Sequence, residues 1–418
     1  MTRSITLRRV VITGVGVISP LGLNAAETWA GLIAGRSGIG PLTQFDASEM
    51  PSRLVGSVKG FNPASVMDAK EARRLGAHTQ YAVAALADAR ANAGLDMAVE
   101  DATRVGVCLG SALGGAGIIE EQAHTLQNGG VRRVNPALVP AVLVNMPACY
   151  VAMTLKAKGP CHAPTGACAT GVMAIGEGYR AIQRGEADVM VAGGSDAPIA
   201  PLGCASFGRL GALSARNDDP ENACRPFDAQ RDGTIIGEGA AVLVLESAEH
   251  AQGRGAKILA EVVGYGLTED AYHMVMPDPT GEGAARAMQL SLREAGWSPA
   301  DVQYVCAHGT GTPLNDAAET KAIKLALGEQ AYRIAVSSNK CMVGHMMGAA
   351  GAFSAFITTK TLSAGVLVPT ANLRNPDPEC DLDYVPLVSR PAAVRGAVVN
   401  AFGFGGQNAT LALQRWEG

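Results

Sequence analysis

Cys168 stands among small residues in PTGACATGVMAIGEGYRAIQRG (164–185), and a helical period begins directly after it. Val172, Ile175, Tyr179 and Ile182 recur on one face, and Gly185 offers a stop. This pattern puts Cys168 at a helix N-terminus, where free N–H groups and the helix dipole favour an anion. The expectation is a thiol pKa below its free value and an accessible thiolate nucleophile. The other common use of a single cysteine is as a small buried hydrophobe. Two histidines follow in the second half of the chain. His308 ends a strand in AHGTGTPLND, and His345 opens a helix in NKCMVGHMMGAAG. A lone histidine at a strand end is more often structural, but both are flanked by glycines that let a substrate approach the backbone. Lys340 and Glu319 are placed to form a supporting pair that holds the second histidine and tunes its charge, with plain surface charge as the alternative. A thiolate, two imidazoles and backbone N–H groups suffice to carry an acyl group as a thioester and to stabilise a carbanion, with no metal or redox cofactor.

The elements that must hold these residues alternate between strand and helix. VVITGVGV, within Arg8 to Gly16, reads as a buried strand. It superficially matches a dinucleotide fingerprint, but Ser19 replaces the last glycine and no acidic residue ends a following strand, so a core strand is expected. Residues 60–100 read as helical, and Met67 to Tyr81 carries Lys70, Arg73 and Arg74 on one face near Glu71. That face is either solvated surface or a dock for an acidic partner. Val105–Gly110 is a second strand. Residues 118–150 predict a helix and then an irregular excursion through Pro136, Pro140 and Pro147. Ala187–Ala192 and Ala240–Glu246 are strands, and 201–238 predicts a surface loop.

From about Lys257 the order of elements starts again. ILAEVVGYG answers VVITGVGV, VQYVCAHGTGT answers VGVCLGSALGG, GHMMGAAGAFSAFITTKTLSAG answers the cysteine helix, and VVNAFGFGGQNATLALQ closes like the strands at 187–246. Such repetition indicates an internal duplication, with halves at 1–255 and 256–418. Two similar halves packed together bring equivalent loops around one pocket, so Cys168 of the first faces the histidines of the second.

Composition agrees with this class. The 418 residues include 51 glycines, and 48% are hydrophobic with few aromatics, which suits a tightly packed α/β protein. A net charge of −4 argues against general nucleic-acid binding. The nine scattered cysteines contain no CxxC pair, which fits neither a disulfide scaffold nor a zinc module and points to a reducing, cytoplasmic setting. MTRSITLRRVVITG lacks the layout of a signal peptide, and no apolar run is long enough to span a bilayer, so a soluble protein is expected.

Across nearly its whole length the chain resembles the β-ketoacyl-acyl-carrier-protein synthases, the type II condensing enzymes of the thiolase superfamily. The motifs that carry the likeness are TGACATG, GGSDAP, RPFDAQRDGTIIGEGA, DAYHM, HGTGTPLNDAAE, SSNKCMVGHMMGAAGA and FGFGGQNA, in that order. The resemblance implies an α/β thiolase fold, two βαβαβαββ halves in five α-β-α-β-α layers. It implies an acyltransferase that performs a decarboxylative Claisen condensation of an acyl thioester with malonyl-acyl-carrier protein in fatty-acid biosynthesis. Cys168 would accept the acyl chain. His308 and His345 would assist decarboxylation, supported by Lys340 and Glu319. The N–H groups of Cys168 and Phe404 would form the oxyanion hole, and Phe404, beside Phe402 in the Gly-rich loop, would gate the acyl and malonyl sites. Thr310 and Thr312 would hold the phosphopantetheine arm, which arrives on the carrier protein, so no resident cofactor is implied. Lys70, Arg73 and Arg74 would dock that carrier protein. Ala112, Leu113 and Leu138 would line the acyl pocket. A homodimer is the usual assembly, with a ketosynthase-like chain-length factor as the alternative partner.

Three departures stand out. Gly166 replaces a frequent threonine, which predicts a slightly looser site. Ala137 and Leu138 replace bulky phenylalanines, which predicts a longer or wider pocket. HGTGTP rather than HGTSTP leans toward polyketide relatives. Rival readings are weaker. A degradative thiolase would carry a second cysteine in the FGFGGQNA loop, a decarboxylase-only relative replaces the nucleophile, and a chain-length factor loses it. Here Cys168 and both histidines are present.

Overall fold

A computed structural model of the chain describes residues 7–418. The first residues of the expected run from MTRSITLRR into a strand, 1–6, lie outside the described residues. Ten strands form one sheet. The first half supplies β1 (Val10–Ile18), β2 (Val105–Gly110), β3 (Cys161–His162), β4 (Val189–Asp196) and β5 (Gly239–Ser247). The second supplies β6 (Ala260–Glu269), β7 (Tyr304–Cys306), β8 (Ala335–Ser337), β9 (Gly396–Gly403) and β10 (Gln407–Gln414). The order across the sheet is β8-β7-β9-β10-β6-β1-β5-β4-β2-β3. Each half therefore repeats one topology, with its third, second, fourth, fifth and first strands side by side. In both, the second strand pairs in parallel with the third and fourth, and the remaining pairs are antiparallel. The halves join through a short antiparallel ladder, Val10 opposite Val262, Val11 opposite Glu261 and Ile12 opposite Ala260.

Helices lie on both faces, as strands buried on each side require. On the outside of the first half are α1 (Ala77–Ala93), α2 (Ala116–Gly129), α3 (Leu138–Val142) and α4 (Met146–Leu155). In the centre lies α5 (Thr170–Gln183). After β4 comes α6 (Pro201–Arg209). The second half contributes α7 (Glu282–Ala295) and α8 (Pro313–Leu327) outside and α9 (Ala350–Ala364) in the centre, against α5. The two five-stranded halves of the sheet, each lying between its outer helices and the central pair α5 and α9, complete the five layers.

Val172, Ile175, Tyr179 and Ile182 of α5 are buried, as their spacing requires, and α9 is buried on almost every side. Truncating one of its packed rings, such as Phe353, removes contacts on all sides and costs about 3–5 kcal/mol. The central helices touch through small residues: a methyl group on Gly171 would land on the Ala352 backbone. The glycines of β1 serve packing as well. A side chain on Gly14 or Gly16 would strike the α1 backbone, and the equivalent Gly264 and Gly266 of β6 meet α7 in the same way. That repeated contact explains why VVITGVGV resembles a nucleotide loop yet is a core strand.

Three expectations change. The Pro-containing stretch is helical, because Pro140 falls within the short α3 and Pro147 at the start of α4, where a missing N–H costs little. Residues 201–238 are not a surface loop. They contain α6, and then Ala223, Cys224, Phe227, Ile235 and Ile236 go fully into the core, with Phe227 stacked on Tyr384 at 3.9 Å. Met67–Tyr81 is not one helix: a single turn at Ala69–Ala72, capped by Asp68, ends before α1 begins. Lys70, Arg73 and Arg74 are exposed on this turn and just beyond it.

Candidate active site

Cys168 sits two residues before α5, on a tight turn in which Ala167 has a φ of 49°. Thr170 locks the turn, accepting the Gly166 N–H at 2.8 Å and donating to the Ala167 carbonyl at 2.7 Å. A left-handed alanine is strained, and such strain concentrates where a side chain must be presented. The backbone N–H groups of Cys168 and Phe404 both face the sulfur. The thiol is buried, however, and burial pushes it up to about 12, only partly offset by the Lys340 ammonium and those N–H groups. The expected lowered pKa is therefore not found: burial of the thiol outweighs the helix terminus.

His308 follows β7 by two residues, and the loop carrying it turns inward because Glu319 of α8 grips its backbone. The carboxylate accepts the His308 N–H at 2.8 Å, the Gly309 N–H at 2.7 Å and the Asn400 amide at 3.2 Å. Lys340 Nζ, itself buried, donates to the His308 carbonyl. Lys340 and Glu319 thus act together, but on the first histidine rather than the second. His345 does not open a helix. It is held extended between Ile235 and Gly237, its N–H donating to the Ile235 carbonyl at 2.6 Å and its carbonyl accepting the Gly237 N–H at 2.9 Å. Its Nδ1 accepts the Met347 N–H at 3.3 Å, which assigns the proton of the neutral ring to Nε2. Burial and Lys340 hold both imidazoles well below the usual histidine pKa, with His345 adding to the effect on His308.

Cys168, His308, His345, Thr310, Thr312, Glu319, Phe402 and Phe404 all border one cavity of about 440 Å³. The Thr310 and Thr312 hydroxyls bond each other at 2.8 Å. The Phe402 ring lies 5.6 Å from His308, whereas Phe404 is 37% exposed, its ring 6.3 Å from Phe207 at the turn formed with Gly405 and Gly406. Ala112 and Leu113 pack in the apolar cluster around Cys168. Leu138 does not reach the cavity; it opens α3, which packs on α2. Gly166 is not a looser spot either, because the Met173 thioether and the Gln407 amide occupy the space a side chain would take.

One residue escaped the sequence reading. Asp196, at the end of β4 and fully buried, accepts the Ser111 hydroxyl at 2.6 Å and the N–H groups of Ala112 at 2.9 Å, Leu113 at 3.1 Å and Gly348 at 2.6 Å. It ties the loop beside Cys168 to the segment after His345. The signal was available as an acid ending the strand VMVAGGSD, which is otherwise apolar but for Ser195.

Two family models match the chain, the β-ketoacyl synthase N-terminal domain over residues 7–251 and its C-terminal domain over 259–374. The chain belongs to the β-ketoacyl synthase family. Within it, 3-oxoacyl-[acyl-carrier-protein] synthase 2 of Synechocystis sp. is 47% identical over 98% of this chain and 99% of its own length. Among solved structures, the ishigamide ketosynthase/chain length factor superposes with a TM-score of 0.92 at 36% identity, over 98% of this chain and 100% of that one. A type II polyketide ketosynthase solved in complex with its acyl-carrier protein and bound to the hexaketide gives 0.91 at 33% identity, with the same coverage. The β-ketoacyl synthase fold carries the thiolase architecture read from the motifs.

Proposed function

We propose that this chain is a 3-oxoacyl-acyl-carrier-protein synthase of fatty-acid biosynthesis, condensing an acyl thioester with malonyl-acyl-carrier protein. The observation that carries the reading is the meeting of Cys168, His308 and His345 in one cavity, each held by buried hydrogen bonds. Cys168 Sγ attacks the acyl carbonyl, and the N–H groups of Cys168 and Phe404 hold the oxyanion. The carrier's pantetheine thiol leaves with the proton. Malonyl thioester then enters past Phe404 and loses CO2. The enolate oxygen receives hydrogen bonds from His345 Nε2–H and from His308, while the enolate carbon attacks the acyl-Cys168 carbonyl and expels the sulfur, which takes one proton from solvent to return as the thiol. Electrons balance without a redox partner. Thr310 and Thr312 hold the pantetheine arm, and Ala112 and Leu113 wall the acyl side.

Lys70, Arg73 and Arg74, all exposed, dock the acidic carrier protein. Assembly is through the first half. The edge strand β3 has both residues exposed, and Val139, Leu143, Val144 and Met153 expose apolar surface on and beside α3 and α4. A second copy of this chain is the natural partner, with a chain-length factor as the alternative. Among the described residues no helix is long and apolar enough to cross a membrane, and we place the enzyme in the cytoplasm.

Intact-protein mass spectrometry with carrier proteins bearing saturated and polyunsaturated chains tests the reading, with peptide mapping to locate the adduct. Acylation at Cys168 by saturated chains, lost in Cys168→Ala, supports fatty-acid elongation; selectivity for polyunsaturated chains supports a polyketide pathway. Condensation unchanged in Cys168→Ala rejects the assignment.

A further inference from the structure

Asp196 is unfavourably placed for the nucleophile. It is fully buried at the end of β4, and its negative charge raises the Cys168 thiol, which opposes the thiolate that acyl transfer needs. Its hydrogen bonds show what it holds instead. One carboxylate oxygen accepts the Ser111 hydroxyl and the Leu113 N–H, and the other accepts the N–H groups of Ala112 at 2.9 Å and Gly348 at 2.6 Å. A methyl group on Gly348 would strike that second oxygen, so only glycine lets the carboxylate come so close. Gly194 of the same strand presses on the Gly348 carbonyl, where it too has no room for a side chain. β4 therefore pins Gly348 at both its N–H and its carbonyl.

The residue before it, Met347, borders the catalytic cavity and has a φ of 48°, a left-handed conformation that costs energy in any residue with a side chain. Two fixed points enforce it. On one side the His345 backbone is bonded between Ile235 and Gly237, and on the other Gly348 is pinned by Asp196 and Gly194. Met347 spans them, and in this conformation its N–H meets His345 Nδ1 at 3.3 Å. Release of Gly348 would let Met347 relax to a favourable backbone region and withdraw that N–H. The His345 ring would then be free to turn and to carry its proton on either nitrogen.

We propose that Asp196 is a positioning residue for malonyl decarboxylation: through the Gly348 N–H and the left-handed Met347 it holds the His345 ring with Nε2–H directed at the enolate oxygen. The inference rests on the condensing reaction assigned above. It gives Asp196 to the decarboxylation step rather than to acyl transfer, even though its contacts with Ala112 and Leu113 lie on the acyl side.

The test is a double-mutant cycle on two separate steps, CO2 release from malonyl-carrier protein and acylation of Cys168 by a short acyl-carrier-protein thioester, read by intact mass. Asp196→Ala should slow decarboxylation by about tenfold or more, as removal of a group that orients a working histidine does. Acylation should slow far less, because the charge that raised the thiol has gone. Placed on His345→Ala, the same substitution should change decarboxylation by a factor near unity, since the ring it positions is no longer there. A scaffold role alone would give the same loss in both backgrounds. Asp196→Asn offers one acceptor where four donors converge, so it should show a smaller loss, again confined to proteins that keep His345. Thermal unfolding checks each variant, and Asp196→Asn carries the comparison if Asp196→Ala does not fold. Decarboxylation unchanged in a folded variant overturns the inference. So does an equal loss in both steps, or the same loss with and without His345. Failure of the wild-type protein to release CO2 from malonyl-carrier protein instead overturns the condensing reaction itself, and the inference with it.

Discussion

The rings of His308 and His345 stand edge to face, their centroids 5.5 Å apart at 81°. Both are buried, and the Lys340 ammonium discourages a second positive charge on either. The pair is thus kept as two neutral imidazoles, able to give hydrogen bonds to a developing enolate without first losing a proton.

From this the pH dependence follows. Each ring's pKa lies well below its ordinary value, so protonation in the folded state sets in only well below pH 6.5. Malonyl decarboxylation should be flat between about pH 6 and 8 and decline only at lower pH. A fall centred near 6.5 would show that the rings titrate normally. His345→Ala should slow decarboxylation by about a hundredfold or more and leave Cys168 acylation far less affected; equal losses in both steps would remove the assigned division of labour.

The Cys168 thiol, pushed up to about 12 by burial, is protonated at neutral pH. Its alkylation by iodoacetamide, followed by peptide mapping, should accelerate about tenfold for each pH unit between about 7 and 9 without levelling off. A plateau below about pH 8 would mean that the N–H groups and Lys340 outweigh desolvation.

Glu319→Ala leaves two backbone N–H groups and Lys340 without their buried counterpart. Urea unfolding should show a loss of about 3–5 kcal/mol, with Glu319→Gln losing less because its carbonyl still accepts. A loss under about 1 kcal/mol would show that Glu319 does not hold the His308 loop.

Reversing charge at Arg73 and Arg74 should weaken carrier-protein binding at least about tenfold at low ionic strength, the difference shrinking as salt is added. An affinity unchanged at every salt concentration removes these residues from the docking surface.

Much of this site could be read before any coordinates, and the reason is periodicity. The repeated strand–loop–helix order located the cysteine and both histidines on facing loops, and the topology repeats strand for strand. What could not be read depends on which group is dry. Nothing in TGACATG states how deeply Cys168 would be buried, so the helix-terminus argument gave the wrong direction for its thiol. Lys340 and Glu319 were paired with the wrong histidine because their contacts are to the His308 backbone, which leaves no trace in side-chain spacing. RPFDAQRDGTIIGEGA looked polar enough to be a surface loop, yet Arg231 is buried on Asp377 and the Thr312 and Pro313 carbonyls. Hydrophobic patterning does not register charges that neutralise each other inside.

The contact of Gly171 with the Ala352 backbone has a consequence for how the molecule is made. Each half contributes one central helix whose covering is the other half, while the strands joining the halves share a ladder of only three residue pairs. A polypeptide ending between the halves would present that helix bare to solvent and aggregate through it. Two such polypeptides produced together would each be the other's missing wall, so nicking the chain there should leave an active, non-covalent enzyme.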